Sequence, residues 1–248
     1  MSYNIIGIPQ RESRPDIKRE KLIKQLITKG LDPSLLPLTP ATLCCLGRIG
    51  GGKSSIMYSF LKNMFPNYYD EVIIFCSSQD SKEAFEKLPQ KNILFCEDYN
   101  DNHFGEYIDQ LKSDQMEKLQ KGETPLNIFI GFDDIVFKNS ISNKSKPTNV
   151  ERALLTCRHE LNATMFICCQ HSKQISPAIR NNIMYYCILP LQANDIKKVA
   201  EEHSNHLTNE DFIELYNEVM KTKHNFLLID YKAPIERRFR INFDTIIE

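Results

Sequence analysis

From residue 41 onward the chain alternates short, almost wholly apolar runs with longer segments whose apolar residues recur at helical spacing. The runs ATLCCLG (41–47), EVIIFCSS (71–78), NILFCE (92–97), LNIFIGF (126–132), ATMFICCQ (163–170) and NIMYYCIL (182–189) have strand length. They lack the apolar–polar alternation of a sheet wetted on one face. Strands read this way when helices cover both sides of a mostly parallel sheet. Helical candidates fill the gaps: after Gly52, around His103 to Lys121, from Thr148 to Leu161, and from Asn194 to His203. The pattern predicts an α/β fold, with a further helix at 208–221 and two late strands, HNFLLIDYK and RRFRINF, forming a hairpin on the sheet edge.

Residues 1–40 read differently. Ile17, Leu22, Ile23, Leu26 and Ile27 are spaced for an amphipathic helix ending near Gly30, and the proline-rich step LDPSLLPLTP follows. We therefore expect an N-terminal arm or helix over 1–40 and one main domain over 41–248, extended by the C-terminal helix and hairpin. The polar stretch KNSISNKSKPTN (138–149) has loop composition.

Composition adds exclusions. With 42% hydrophobic and 25% charged residues the chain is ordinary globular protein. A net charge of −1 supplies no global field for nucleic acid or membrane, so a polyanion must be met by a local basic patch. Apolar runs such as IMYYCILPL stop short of the ~20 residues that span a bilayer, and MSYNIIGIPQRESRPD lacks a signal peptide's basic start and long apolar stretch. The expectation is a soluble, non-secreted protein without membrane insertion. The eight cysteines contain no CxxC, and all but Cys157 lie in apolar runs, so they read as buried free thiols in a reducing compartment.

The stretch GRIGGGKSS (47–55) holds four of the nine glycines in the chain. It follows the strand ATLCCLG and precedes the helical pattern SSIMYSFLKNMF. Gly47-x-x-x-x-Gly52-Lys53-Ser54 is the spacing of a phosphate-binding P-loop, in which backbone N–H groups wrap the phosphates and side chains would obstruct them. Gly47, Arg48, Ile49, Gly50, Gly51, Gly52, Lys53, Ser54 and Ser55 are the candidate nucleotide-binding residues. Lys53 would reach the β- and γ-phosphates, Ser54 would ligate Mg²⁺, and the helix N-terminus would favour the anion. ATP and Mg²⁺ are the expected ligands.

The strand LNIFIGFDD delivers Asp133 and Asp134 to its C-terminal end, the edge where a P-loop sits in a parallel sheet. Asp133 would hold the metal through water, and Asp134 would stand as general base for an attacking water. Aspartate is one methylene shorter than the glutamate common in such ATPases, so that water must sit closer or the strand end must shift. Gln170, at the tip of ATMFICCQ, is the candidate γ-phosphate sensor. Arg158 and Arg180 are candidates for neutralising developing phosphate charge, in cis or across a subunit interface. His171, His203 and His206 lack companions at metal-ligand spacing.

Taken in order, GRIGGGKSS, NIFIGFDDIV, CRHELNATMFICCQH and ISPAIRNN resemble the genome-packaging ATPases of poxviruses, other large double-stranded DNA viruses and virophages, within the FtsK/HerA branch of P-loop motors. The resemblance covers about residues 40–190 and includes Arg158, His159 and Asn162 before the sensor strand, Gln170 at its end, and Arg180 and Asn181 after it. Asp-Asp also occurs in that family. It implies a RecA-like P-loop NTPase fold of the ASCE type, with the sensor strand between the P-loop strand and the Walker B strand; EVIIFCSS then needs a place, and the sheet edge is the natural one. It further implies a homo-oligomeric ring that threads double-stranded DNA into a preformed capsid. Capsid or portal-vertex proteins would be partners, and the setting would be the host cytoplasm at the viral factory, with association to the virion left open. Basic residues for gripping DNA would be Lys138, Lys144 and Lys146, or Arg237, Arg238 and Arg240 in the tail. The residues alone leave two other readings: a nucleoside or nucleotide kinase, and an assembly factor that uses ATP without moving DNA.

Overall fold

The computed structural model describes residues 17–28, 32–134 and 147–247. Its centre is a nine-stranded sheet in the order β3-β2-β4-β5-β1-β6-β7-β8-β9. The strands are β1 (Thr42–Leu46), β2 (Glu71–Cys76), β3 (Ile93–Cys96), β4 (Ile128–Asp133), β5 (Ala163–Cys169), β6 (Tyr185–Ile188), β7 (Leu227–Asp230), β8 (Phe239–Ile241) and β9 (Thr245–Ile246). From β3 through β6 every neighbour is parallel, and β7, β8 and β9 are added antiparallel.

The helices are α1 (Ile17–Thr28), α2 (Lys53–Ser59), α3 (Gln79–Phe85), α4 (Asp101–Gln120), α5 (Asn149–Thr156), α6 (Pro177–Arg180), α7 (Ala193–His203) and α8 (Asn209–Met220). Both α2 and α5 run on into a π-helical turn, Phe60–Met64 and Cys157–Leu161 respectively. A capping box starts α5: Thr148 Oγ1 accepts from the Glu151 amide, and the Glu151 carboxylate accepts from the Thr148 amide.

Two apolar layers sandwich the sheet, and strand alternation divides the residues between them. Cys44, Leu46, Ile130 and Ile167 join the layer containing residues of α4, α5, α7 and α8. Leu43, Cys45, Phe129 and Phe166 join the layer with α1, α2 and Phe85 of α3. Because both faces are covered, the runs look continuously apolar in sequence while each side chain has a fixed side. Seven of the eight cysteines are buried and all are free thiols.

Three details depart from expectation. The run EVIIFCSS is not the edge: β2 lies between β3 and β4, and its five last residues are buried. The outer strand is β3, whose Leu94 is 53% exposed, as an edge tolerates. The short helix α3 follows β2, started by Ser78, whose Oγ accepts from the Ser81 amide. In α1 only Leu22 and Leu26 are buried, while Ile17 and Ile27 face solvent, so its apolar stripe is narrower than the spacing suggests.

The C-terminal hairpin is anchored by charge. Arg240 and Asp230 form a buried ion pair at 2.6 Å, and Arg240 Nη1 donates to the Leu35 carbonyl at 3.1 Å. Asp230 Oδ1 also accepts from the amides of Lys232 and Ala233. Arg240, one of the three tail arginines expected to grip DNA, is thus committed to the interior, because a buried aspartate ten residues earlier claims it. Arg238 donates to Asn205 Oδ1 at 2.6 Å and lies over the Tyr231 ring, whereas Arg237 is exposed. Lys138, Lys144 and Lys146 fall outside the described residues. Among the described residues, no helix is long and apolar enough to cross a membrane.

Removing one partner of a buried ion pair strands the other. Arg240→Ala should therefore lower unfolding free energy by about 3–5 kcal/mol in urea titration. A change under ~0.5 kcal/mol, the scale of a surface substitution, would show that Asp230 is rehydrated without cost.

His203 is buried beneath Tyr186, with ring centroids 4.4 Å apart, and its Nδ1 lies 2.6 Å from the Tyr231 hydroxyl. Burial first, then the positive field of Arg180, lowers its pKa from the free value of 6.5 to about 4. The unfolded chain takes up this proton before the native one. The stabilisation is therefore complete above pH ~6.5 and is lost as pH falls toward ~4, amounting to on the order of 3 kcal/mol. Urea midpoints followed from pH 7.5 downward should fall more steeply for the parent than for His203→Gln; parallel profiles would count against it.

Candidate active site

The C-terminal ends of β1, β4 and β5 share one edge because the three strands are parallel neighbours. The Gly47 amide donates to the Cys169 carbonyl at 3.1 Å, carrying the ladder one step past β1 before the loop turns away. Gly50 and Gly52 have φ of 69° and 100°, and a Cβ at either would meet nothing within 4 Å. The glycines are therefore required by backbone conformation rather than by crowding, and the concavity in front of them stays open. The Gly51 amide closes the turn on the Arg48 carbonyl at 3.0 Å. Ile49, at the loop's tip, is 79% exposed, and Arg48 is tied by Nη2 to the Leu191 carbonyl. Ser55 is exposed in the first turn of α2.

Lys53 begins α2 and is only 3% exposed. Its ammonium donates to the Arg48 carbonyl at 3.1 Å and pairs with Asp134 Oδ1 at 3.1 Å. Asp134 occupies the left-handed region, φ 51°, which aspartate tolerates better than most residues. One residue earlier, Asp133 is buried and accepts from Ser54 Oγ at 2.8 Å. Cys76, at the end of β2, places its Sγ 3.7 Å from the other carboxylate oxygen. Burial raises the Asp133 pKa above the ordinary carboxylate range, against the lowering by Ser54 and Ser81.

Hydroxyl and carboxylate oxygens held edge to edge are the hard donors Mg²⁺ takes, together with waters and phosphate oxygens. The pair Ser54 and Asp133 therefore fits that ion. Among the described residues no cluster of three His, Cys, Asp or Glu side chains is found.

Gln170 follows β5 at the same edge, half-buried, one residue beyond the carbonyl that receives the Gly47 amide. The Gln170 and His171 amides both donate to Gln174 Oε1, which fixes the turn. His171 faces away to Asp195, with Nδ1 3.2 Å from Oδ2.

The two arginines part company. Arg180 is half-buried, with Nη1 donating to the carbonyls of Ser172 and Ile175 and Nε 3.5 Å from Glu202. It braces its own loop. Arg158 is exposed in the π-helical turn before β5, beside Asn162, whose amide group bonds Leu126 and Asn127 at the start of β4. That is the edge opposite the P-loop of the same chain. A catalytic role in cis is excluded for Arg158 by this placement.

The Arg48 carbonyl that holds Lys53, and Cys76 and Ser81 around Asp133, were not singled out in the sequence. Backbone acceptors carry no residue code. The one available signal was serine directly after an apolar run in EVIIFCSS, a helix-start pattern beside the metal candidate.

Strand β5 lies between β1 and β4, the order expected for ring ATPases and not the adjacency usual in nucleoside kinases. Solved structures share this fold. The genome packaging NTPase B204 of Sulfolobus turreted icosahedral virus 2, in complex with AMPPCP, superposes with a TM-score of 0.59 at 13% identity, covering 83% of this chain and 98% of that one. The complex of the same protein with ATP-gammaS gives 0.55 at 14%, covering 85% and 100%. EssC ATPases 2 and 3 of Geobacillus thermodenitrificans give 0.50 at 14%, covering 84% and 38%. Comparison with curated protein sequences gave no match. The family described as Poxvirus A32 protein matches residues 32–246, nearly the whole of the described chain, including every residue of the phosphate edge. The chain belongs to the poxvirus A32 protein family, the poxviral line of the P-loop ATPases that its motif order resembles.

Proposed function

We propose that this protein is the ATP hydrolase of a viral DNA-packaging motor, binding Mg·ATP at the β1–α2 loop and using its hydrolysis to drive double-stranded DNA into a preformed capsid. The observation that carries the reading is the convergence of Lys53, Ser54, Asp133 and Asp134 through contacts of 2.8–3.1 Å at one end of the parallel sheet. The B204 genome packaging NTPase, seen in complex with ATP-gammaS and with AMPPCP, supports it at the level of shared fold. The proposed working form is a homo-oligomeric ring in the host cytoplasm, meeting DNA and a capsid vertex.

The chemistry follows from which contacts a triphosphate would exchange. Lys53 is buried and already desolvated, so its charge acts on phosphate oxygens at low local dielectric. On binding, it gives up Asp134 for phosphate. The freed Asp134 carboxylate is a base at the end of β4, able to take a proton from an attacking water. The backbone amides at the start of α2 would stabilise charge on the phosphates, while the Gly51 amide stays on the Arg48 carbonyl and holds the turn. Magnesium, when bound, would supply electrostatic neutralisation of the phosphate charge. Ser54 and Asp133 would hold it, and Gln170 would sense the γ-phosphate. Arg158 is assigned to a neighbouring subunit's site.

Lys53→Ala should abolish ATP hydrolysis measured with and without double-stranded DNA; unchanged turnover would remove the loop from the mechanism. The parent rate should rise when DNA is added, and nucleoside phosphorylation in place of hydrolysis would sink the motor. Asp134→Asn should leave nucleotide affinity nearly intact while hydrolysis drops by about 100-fold or more, the scale of a lost positioned base. For Asp133→Asn, titrations with Mg·ATP and with ATP in chelator should converge on one affinity. Equal weakening of both would mean that Asp133 merely anchors Ser54.

A further inference from the structure

Beside the phosphate loop lies a cavity of about 500 Å³ that no step above uses. Gly51 and Gly52 form its rim. From there Ser55, Ser59 and Asn63 run along one face of α2 and its π-helical turn at four-residue intervals, making a polar wall. The facing wall comes from the opposite end of the chain, with Phe226 and Phe243 as its apolar part and His224, Asn242 and Asp244 beside them. Leu26 of α1 and Leu35 of the following segment also line it.

We propose that this cavity is the nucleoside end of the same site and takes a purine base with its ribose, Phe243 providing the stacking surface. The inference rests on the assignment of the phosphate loop, since Gly51 and Gly52 belong to both. A ligand held there by its phosphates carries its nucleoside within reach of an apolar recess of the size that small ligands occupy. Phe243 is half-buried, steadied by Phe226 at 5.3 Å in a T-shaped contact and by Phe60 at 6.1 Å, and it lines the recess. Stacking needs a ring whose position is fixed beforehand, and these two neighbours fix it. Asp32 and Asp244 are exposed carboxylates on the lining, acceptors for base amino or ribose hydroxyl groups.

The wall is also built to stay in place. Leu35, which lines the recess, offers its carbonyl to Arg240, whose ion pair with Asp230 is buried in the hairpin. Asn242, two residues on, accepts from the Phe226 amide through Oδ1 and donates to Asn225 through Nδ2, so it shapes the wall instead of meeting the ligand. The segments before residue 40 and after 190 carry no nucleotide motif. Their contribution is the half of the site that sees the base.

Competition binding on the full chain tests this with ATP, GTP, CTP, UTP and inorganic tripolyphosphate, for the parent, Phe243→Ala and Ser59→Phe. The second variant fills the recess without removing a core aromatic. Purine triphosphates should bind about 10-fold or more tighter than tripolyphosphate, the effect of one base–aromatic stack, and ahead of CTP and UTP. Each variant should erase most of that advantage while tripolyphosphate affinity stays within about 2-fold. If both variants keep the parent's ratio of ATP to tripolyphosphate affinity, or all four nucleotides bind alike, the recess does not hold a purine. A different failure belongs to the phosphate loop: tripolyphosphate not displacing ATP, with Lys53→Ala binding ATP as the parent does, would overturn both assignments together.

Discussion

The parallel register of β4, β5 and β1 is the constraint from which the rest of the molecule follows. Pairing Ile128 with Ala163 and Thr42 with Met165 brings Asp133, Cys169 and Leu46 to a common edge, and the Gly47 amide then closes on the Cys169 carbonyl. Asp133 and Cys76 are the last residues of β4 and β2, Asp134 and Gln170 directly follow strand ends, and Lys53 and Ser54 open the helix that leaves the loop after β1, so their spacing is set by the ladder beneath them. Burial on both faces pins that ladder, because a slip of one residue would send Cys44 and Leu46 into the layer built for Leu43 and Cys45.

What could be read in the sequence was what backbone geometry enforces. Gly50 and Gly52 had to be glycine because their φ values are positive, and a six-position cluster in a glycine-poor chain advertises that need. Uninterrupted apolar runs revealed two-sided burial, hence a parallel sheet with helices on both faces. Lateral order was less visible. Composition cannot say which buried strand stands next to the rim, so the run at 71–78 was assigned to the edge that β3 occupies. Nor does sequence show who claims a charge. Arg240 looked like a free cation until Asp230 and the Leu35 carbonyl were in place around it, and Arg180 likewise has its own loop's carbonyls and Glu202. Arg158 illustrates a third limit: its distance from Gln170 along the chain is short, but the intervening strand carries it to the far edge.

Charge economy links the two halves of the molecule. The phosphate edge keeps a buried cation, Lys53, paired with an acid; the hairpin does the same with Arg240 and Asp230. The difference is in what surrounds them. Asp134 is 38% exposed and sits at a strand end, so its pair opens toward ligand, whereas Asp230 is 7% exposed and enclosed by backbone donors. The first pair, at 3.1 Å, is open on its acidic side, and the second, at 2.6 Å, is closed in and architectural.

The strand order also sets a timetable during synthesis. β1 is the first strand made, yet its two neighbours, β5 and β6, begin at Ala163 and Tyr185, more than a hundred residues later. At translation rates of roughly 5–20 residues per second, Thr42–Leu46 waits for several seconds or longer with both hydrogen-bonding edges vacant. Meanwhile β2, β3 and β4 can pair among themselves. The nascent chain therefore carries a half-built sheet and an orphan strand bearing Cys44 and Cys45, and the nucleotide site comes into being only when β5 slots between them.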